Sequence, residues 1–200
     1  MFDNILIKTP EQIEGIRAAC RDAALVLDYI EPFVKAGVTT EYLDDLMLRY
    51  TEDVLKDKSA CLNYDPDGTN PYPKATCISV NHQICHGIPN EKVLKNGDIL
   101  NIDVTVIKNG YYGDTSRMYS VGHISVAAKH LINVTFDSMW KGIEIVRPGA
   151  ISEISAMQFS ILSNLRAAAS FVNSAVTGSE SVSTKILRSA ITASSAPALS

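Results

Sequence analysis

The sequence lacks the marks of membrane, secreted and nucleic-acid-binding proteins. It has no run of about eighteen uncharged apolar residues and no basic N-terminal segment before an apolar core, so we expect neither a membrane span nor a secretory leader. Lysine and arginine number 18 against 22 acidic residues, a formal net charge of -4, which leaves no basic stripe for phosphates. We therefore expect a cytoplasmic protein that acts on a neutral or mildly polar substrate, with no nucleic-acid specificity and no membrane partner.

Cysteine is also scarce, with four residues that form no C-x-x-C pair: Cys20, Cys61, Cys77 and Cys85. This spacing indicates neither a structural zinc site nor a disulfide framework. We expect free thiols in a reducing compartment.

The residues that are present predict a soluble α/β (α+β) chain. Hydrophobic residues make up 46% of the 200 positions, which suits one globular domain or slightly more. Thr9, Pro10 and Gln12 form a helix start with a capping box, and helical spacing continues to near Pro32. A second helix is predicted by a cap at Thr39 or Thr40 and a buried stripe of Leu43, Leu46, Met47 and Tyr50. A later helix is predicted after His130 by apolar residues at helical spacing: Ile132, Phe136, Met139, Trp140, Ile143 and Val146. We expect the first two helices to be packing layers.

An antiparallel hairpin is predicted at the centre of the chain. Residues 76–80 read as a strand, and residues 99–107 and 111–121 read as two strands around Asn109-Gly110, a strong two-residue turn signal. In that register Thr105 faces Asp114, and Asp103 lies diagonal to Asp114 on the same face. Diagonal Cβ atoms are about 7–8 Å apart or somewhat less, so the two carboxylates are candidate ligands for a divalent ion such as Mg, Mn, Fe or Co. Two alternatives remain: both acids lie on a solvated surface, or a three-residue loop puts them on opposite faces.

His86, in the segment CHGIP, is the second candidate for chemistry. We expect it at the end of a strand, before a turn fixed by glycine and proline, where a neutral imidazole can bind substrate or transfer a proton. The alternative is an ordinary surface or packing histidine. Cys85 as a nucleophile assisted by His86 is disfavoured, because adjacent residues on a strand point to opposite faces.

Five segments resemble, in order and spacing, the N-terminal half of bacterial type I methionine aminopeptidases: SACLNY, KATCISVN, ICHGIP, NGDILNIDVTVIKNGYYGDTSRMYSVG and VRPG. The resemblance covers residues 5–154. It implies half of a pita-bread fold, built in the whole family from two pseudo-symmetric α/β halves around a dinuclear metal site of Co, Mn, Fe or Zn. It also implies a monomeric enzyme that removes the initiator methionine from nascent polypeptide N-termini, including at the ribosome. Proline-specific pita-bread peptidases resemble CHGIP and IDVTV less closely.

The same resemblance implies a role for five residues of this chain. Asp103 and Asp114 correspond to two of five metal ligands, and His86 corresponds to the histidine that contacts the scissile amide and assists proton transfer. Cys61 and Tyr64 resemble residues that line the methionine pocket. The segment between Tyr64 and Pro73 is longer than the usual family loop.

The family pattern stops after residue 154. The family has, further along, a CGHGIG segment and an F-H-x-x-P segment that each supply a histidine, and two glutamates that complete the ligand set. Residues 155–200 contain no histidine and one acid, Glu180, and are rich in serine and alanine. We therefore expect a family-like region at residues 1–154 and a tail of different origin at residues 155–200.

The genetic code offers an origin for this tail. Triplets made from the last base of each codon and the first two of the next, with synonymous codons free, can spell FCGHGIG through residues 173–180. The same offset can spell FHEDPQ through residues 182–188. We expect that the coding frame slipped near residues 152–156 and that the chain as written is truncated and inactive. The alternative is a non-catalytic binding module that keeps the half-fold.

Overall fold

The computed structural model describes residues 7–148 of the chain. The described residues belong to two units, which are divided between His123 and Ile124. The predicted tail at residues 155–200 lies outside the described residues, as does any ligand that it would supply.

The described residues contain three α-helices, four β-strands and two short helical turns. Their bounds are α1 Pro10–Ile30, a 3₁₀ turn Glu31–Phe33, α2 Thr40–Arg49, a π-helical turn Tyr50–Val54, β1 Lys58–Ser59, β2 Cys77–Val80, β3 Ile99–Lys108, β4 Tyr111–Ser120 and α3 Val126–Glu144. Within residues 7–148, no helix combines the length and the apolar character needed to cross a bilayer.

Both predicted N-terminal helices are confirmed. The Gln12 amide donates to the Thr9 hydroxyl at 3.3 Å and the Thr9 amide donates to Gln12 Oε1 at 2.9 Å, which completes the capping box of α1. Thr39 caps α2 by accepting from the Tyr42 amide at 3.1 Å. The predicted α2 stripe is also confirmed, since Leu43 and Met47 are fully buried, and two of its members are partly buried against the core: Leu46 and Tyr50.

The β3–β4 hairpin has the predicted register. Asn109 and Gly110 both have positive φ angles, 49° and 83°, as a type I′ turn requires. Lys108 consequently pairs with Tyr111, and Thr105 with Asp114. β4 therefore occupies one edge of β3. The other edge of β3 pairs antiparallel with β2 along residues 100–103 and with β1 along residues 106–107.

The two faces of β3 have different environments. Its buried face carries Leu100, Ile102, Val104 and Val106, which join residues of α1 and α2 in one hydrophobic core. On β4, a Cβ at Gly113 would lie 2.2 Å from the Ala19 backbone, so α1 packs directly on the strand only because this residue is glycine. Because strand side chains alternate, Asp114 and Asp103 belong to the opposite, less buried face.

The second unit contains α3, which begins earlier than the sequence predicted. A start after His130 is wrong, because Ser125 accepts from the Ala128 amide at 3.1 Å and caps a helix that begins at Val126. The rings of Phe136 and Trp140 make an edge contact at a centroid distance of 6.2 Å. The helix continues to Glu144, so the predicted helical character of this segment is confirmed.

Candidate metal centre

Two carboxylates occupy the less buried face of the β3–β4 hairpin. Asp103 pairs directly with Ser116, and Asp114 pairs with Thr105, so the two acids are diagonal neighbours. Asp103 is half-buried and Asp114 is exposed. The predicted arrangement of both acids on one face is therefore confirmed, while their role as ligands stays a prediction.

The electrostatics of Asp103 reflect three neighbouring influences. Burial raises the pKa of its carboxyl, and the adjacent carboxylate of Asp114 raises it further. The imidazole of His86 acts in the opposite direction and lowers this pKa. Two close carboxylates repel each other unless a proton or a cation lies between them, so this pair favours a bound cation.

His86 lies in a loop, and its prediction at the end of a strand is wrong. β2 ends at Val80, and Asn81, with a φ of 56°, turns the chain away before His86 is reached. The loop then returns beside β2, where the Ile78 amide donates to the Gly87 carbonyl at 2.8 Å. Because Cys85 is also in this loop, the argument that it and His86 point to opposite faces of a strand does not apply.

Gly87 fixes the position of this loop. A Cβ at Gly87 would lie 2.3 Å from the Ile78 carbonyl oxygen, so only glycine permits the close approach. The Gly87 amide donates to the buried Ser79 hydroxyl at 3.1 Å, and the Tyr72 hydroxyl donates to the Gly87 carbonyl at 3.4 Å. These bonds hold the backbone next to His86, whose φ is 54°.

Cys61 and Cys77 bring two thiols to the same face. Cys61 follows β1, where the Ala60 amide donates to the Thr105 carbonyl at 2.9 Å, and Cys77 pairs with Asp103 across β2 and β3. The neighbouring Cys61 thiol, with a smaller contribution from the Tyr72 hydroxyl, lowers the pKa of Cys77 to about 6. The Cys77 thiol and burial raise the pKa of Cys61.

Tyr64 lies at the outer edge of this region. Its side chain is 62% exposed, and its carbonyl accepts from the Tyr72 amide at 2.9 Å. Beyond it, the long loop folds on itself, since Asp65 Oδ1 accepts from the Thr69 amide at 3.1 Å and from the Asn70 amide at 3.4 Å. The extra residues thus leave the backbone pairing of Tyr64 with Tyr72 intact.

Sequence reasoning missed Cys77 as a neighbour of Asp103 and Tyr72 as a neighbour of Gly87. The strand that contains Cys77 was predicted, but its pairing partner on β3 was not. Tyr72 follows a loop of turn-forming residues, and its contact with Gly87 depends on the return of a distant loop. Local sequence patterns carry no signal for either contact.

The described residues fit part of a metal centre. Asp103 and Asp114 supply oxygen ligands, which suit divalent ions such as Mn, Fe or Co. Within residues 7–148, no group of three or more His, Cys, Asp or Glu side chains is arranged to hold a metal ion. The two carboxylates therefore fit one wall of a site that requires further ligands.

The family of the chain follows from comparison with known proteins. The model of metallopeptidase family M24 matches residues 14–176. The chain belongs to metallopeptidase family M24. Members of this family are metallopeptidases, so divalent metal use is a property of the family, and the match continues past residue 154.

Curated relatives within the family are methionine aminopeptidases. The enzyme of Rickettsia prowazekii is 52% identical over 148 residues, which cover 73% of this chain and 54% of the relative. The enzyme of Escherichia coli K12 is 48% identical over 154 residues, 76% of this chain and 56% of the relative. The chain thus spans about half the length of the relatives it matches.

Solved structures give the same fold. The crystal structure of methionine aminopeptidase from Rickettsia prowazekii has a TM-score of 0.75 and 48% identity, covering 80% of this chain and 62% of that one. The methionine aminopeptidase from Thermotoga maritima has a TM-score of 0.66 and 35% identity, covering 73% and 57%. A Xaa-Pro dipeptidase from Bacillus anthracis, at 19% identity and a TM-score of 0.68 over 80% of this chain and 42% of that one, shares the fold alone. The predicted resemblance and the half pita-bread fold are confirmed.

Proposed function

We propose that this chain carries the N-terminal half of a cytoplasmic, monomeric, metal-dependent methionine aminopeptidase. Its substrates are the N-termini of nascent polypeptides, including those at the ribosome. One observation carries the proposal: a diagonal Asp103–Asp114 pair beside His86, in a chain 52% identical to a methionine aminopeptidase over its matched length.

The carboxylates of Asp103 and Asp114 hold the divalent metal. Burial and the neighbouring Asp114 carboxylate raise the pKa of Asp103, and a cation between the two acids relieves their repulsion. The proposed ions are Co, Mn, Fe or Zn, two per complete site. When bound, they supply Lewis acidity towards the scissile carbonyl.

His86 is proposed to contact the scissile amide and to carry a proton near it. An imidazole changes its protonation state close to neutral pH, so it can accept and return a proton during turnover. Its loop is anchored by the Ile78 amide and the Ser79 hydroxyl, both bonded to Gly87. This anchoring fixes the backbone next to His86, whose imidazole influences the pKa of Asp103.

The methionine side chain is proposed to bind against Cys61 and Tyr64. Cys61 is half-buried beside Thr105 and Cys77, which gives the pocket a compact sulfur-lined wall. Tyr64 is exposed and supplies an aromatic edge. A thioether packs well against sulfur and aromatic groups, which supports methionine as the bound side chain.

The tail is proposed to be out-of-frame translation that begins near residues 152–156. The domain boundary then falls at residue 154, and residues 155–200 are read in a different frame from the family sequence. Because residues 155–200 contain no histidine and only Glu180 as an acid, the chain as written binds a divalent ion weakly. It should release no methionine.

Two chains test the proposal together. The 200-residue chain and a version with one base corrected within codons 152–156, so that CGHGIG is read in frame, are incubated with a Met-Ala peptide and Co or Mn. We expect methionine release only from the corrected chain, and its loss in the corrected Asp103→Asn variant.

Two outcomes would count against the proposal in different ways. Release of methionine by the 200-residue chain would refute the inactivity of the tail-bearing form. An inactive corrected chain that folds and binds Mn would refute the assigned activity. Sequencing the gene from codon 149 onward tests the frame independently of either result.

A further inference from the structure

The edge of the sheet is interrupted beside Val104 and Thr105. β1 ends with Ser59 opposite Val106, and β2 begins with Cys77 opposite Asp103, both on the same edge of β3. The chain therefore leaves this edge and returns to it within the length of two β3 residues. Residues that are distant in the sequence meet at this break.

Hydrogen bonds join the two sides of the break. The Ser59 hydroxyl donates to the Ala75 carbonyl at 2.7 Å and accepts from the Cys61 amide at 3.1 Å. The Ala60 amide donates to the Thr105 carbonyl at 2.9 Å, which ties the segment to β3. Cys61 is thereby held close to the start of β2 and Cys77, because its amide and the Ala75 carbonyl share the Ser59 hydroxyl.

We propose that Cys61 and Cys77 form a modification site, a dithiol that a small-molecule disulfide oxidises to an intramolecular disulfide. The proposal rests on the closeness of the two segments at the break. It does not require peptidase activity, although Cys61 also lines the proposed methionine pocket. In a reducing compartment such a bond forms transiently, as redox-responsive disulfides do.

The reaction is a thiol–disulfide exchange with glutathione disulfide as the oxidant. A thiolate of the pair attacks one glutathione sulfur, the glutathione S–S bond breaks, and one glutathione thiolate leaves. The second cysteine then attacks the protein sulfur of this mixed disulfide and releases the other glutathione. Two protein thiols are oxidised, one glutathione disulfide is reduced to two glutathiones, and the two thiol protons pass to them.

The second step favours the pair over the other two cysteines. A neighbouring thiol attacks the mixed disulfide as an intramolecular nucleophile, which gives it a high effective concentration. Cys20 and Cys85 are exposed, on α1 and in the loop after β2, so we expect each to retain glutathione as a mixed disulfide.

Peptide mapping tests the site. The full chain is incubated with glutathione disulfide, alkylated, digested with trypsin without reduction and analysed by mass spectrometry. Cleavage after lysine places Cys61 in residues 59–74, and Cys77 with Cys85 in residues 75–92. We expect these two peptides to be cross-linked and to separate on reduction.

Variants identify which cysteine of the second peptide is bonded. The cross-link should persist in Cys85→Ser and disappear in Cys77→Ser, where Cys61 should carry glutathione instead. A cross-link that survives Cys77→Ser but not Cys85→Ser would overturn the proposal. It would also be overturned if wild-type Cys61 and Cys77 stay reduced, or each retain glutathione, while Cys20 is modified. These wild-type outcomes decide the matter even if Cys77→Ser fails to fold.

Discussion

Thr105 and Asp114 are direct partners across the β3–β4 hairpin. The two-residue turn sets the register of all ten residue pairs of this hairpin. This pairing brings Asp103 to a diagonal position next to Asp114, on the face away from the core. A register shifted by one residue would have moved one carboxylate to the buried face. The turn residues Asn109 and Gly110 therefore determine whether the two acids can share an ion.

Asp114→Asn should stabilise the metal-free chain and weaken its metal binding. The substitution removes the repulsion that Asp103 experiences, which we expect to raise the free energy of unfolding by up to about 1 kcal/mol. The loss of one carboxylate ligand should weaken Mn binding by at least about tenfold. Urea denaturation with a chelator present and calorimetric titration with Mn measure the two effects.

Asp67→Asn is the matched control for this variant. It removes an equal charge from an exposed position in the loop before Pro73. We expect it to change neither quantity appreciably. If Asp114→Asn lowered the stability of the metal-free chain, or left Mn binding unchanged, the Asp103–Asp114 pair would not be part of the metal site.

Asp57 should make the stability of the chain fall as the pH rises from about 4. Its carboxylate lies 3.3 Å from Lys108 Nζ, and its Oδ2 is buried with no hydrogen-bond partner among the described residues. Burial raises its pKa, and nearby Asp22 raises it further. Between the ordinary aspartate pKa of about 3.9 and this raised value, the folded chain binds more protons than the unfolded chain, so its free energy of unfolding decreases with pH.

The difference between wild type and Asp57→Asn isolates this contribution. The free energy of unfolding of wild type, measured by urea denaturation from pH 4 to 7, should decline relative to that of Asp57→Asn. An unchanged difference over this range would show that Asp57 titrates alike in both states.

Asp44→Ala should be strongly destabilising. The Asp44 side chain is buried on α2 and accepts from the Thr76 amide at 2.9 Å, the Thr76 hydroxyl at 2.6 Å and the Ala75 amide at 3.3 Å. Its removal leaves buried donors without acceptors, at an expected total of about 2–4 kcal/mol. Thermal and urea denaturation should show Asp44→Asn, which keeps one acceptor oxygen, to be intermediate. Equal stability of Asp44→Ala and wild type would contradict this role.

Gly87→Ala should loosen the loop that carries His86. The added methyl group would collide with the Ile78 carbonyl, so the loop must move and its bonds to Ile78 and Ser79 must lengthen. We expect a loss of about 1–3 kcal/mol in the free energy of unfolding. Amide hydrogen exchange at Ile78 should accelerate more than that of residues in α1.

Gly68→Ala is the control, because nothing lies within 4 Å of a Cβ added at Gly68 and only its positive φ of 68° disfavours alanine. It should cost only about 1 kcal/mol from backbone strain. A loss in Gly68→Ala equal to that in Gly87→Ala would show that the collision with Ile78 is unimportant.

The parts of the fold that local rules determine were predictable from sequence. The capping box of Thr9 and Gln12 marked the start of α1, and Asn109-Gly110 fixed the hairpin register to the residue. Both depend on interactions between residues within a few positions of each other. The Asp103–Asp114 arrangement was predictable because a single turn sets it.

The rest of the site depends on pairing between distant segments. Cys77 and Asp103 are partners because β2 docks on β3 in one particular register, which nothing in either strand alone specifies. The loop position of His86 depends on the close approach of Gly87 to Ile78. Such contacts are selected by the packing of the whole sheet, so local patterns could not supply them.

The hairpin also bears on the order of folding. Asp103 and Asp114 are eleven positions apart in the sequence, so closing the loop between them costs little chain entropy, and hairpins of this kind form in about 1–10 μs. The contacts of Cys61 and Cys77 with the same strand close longer loops. During synthesis the two acids can therefore come together as soon as the hairpin leaves the ribosome. This half of the metal centre can thus form before the long-range contacts of the sheet.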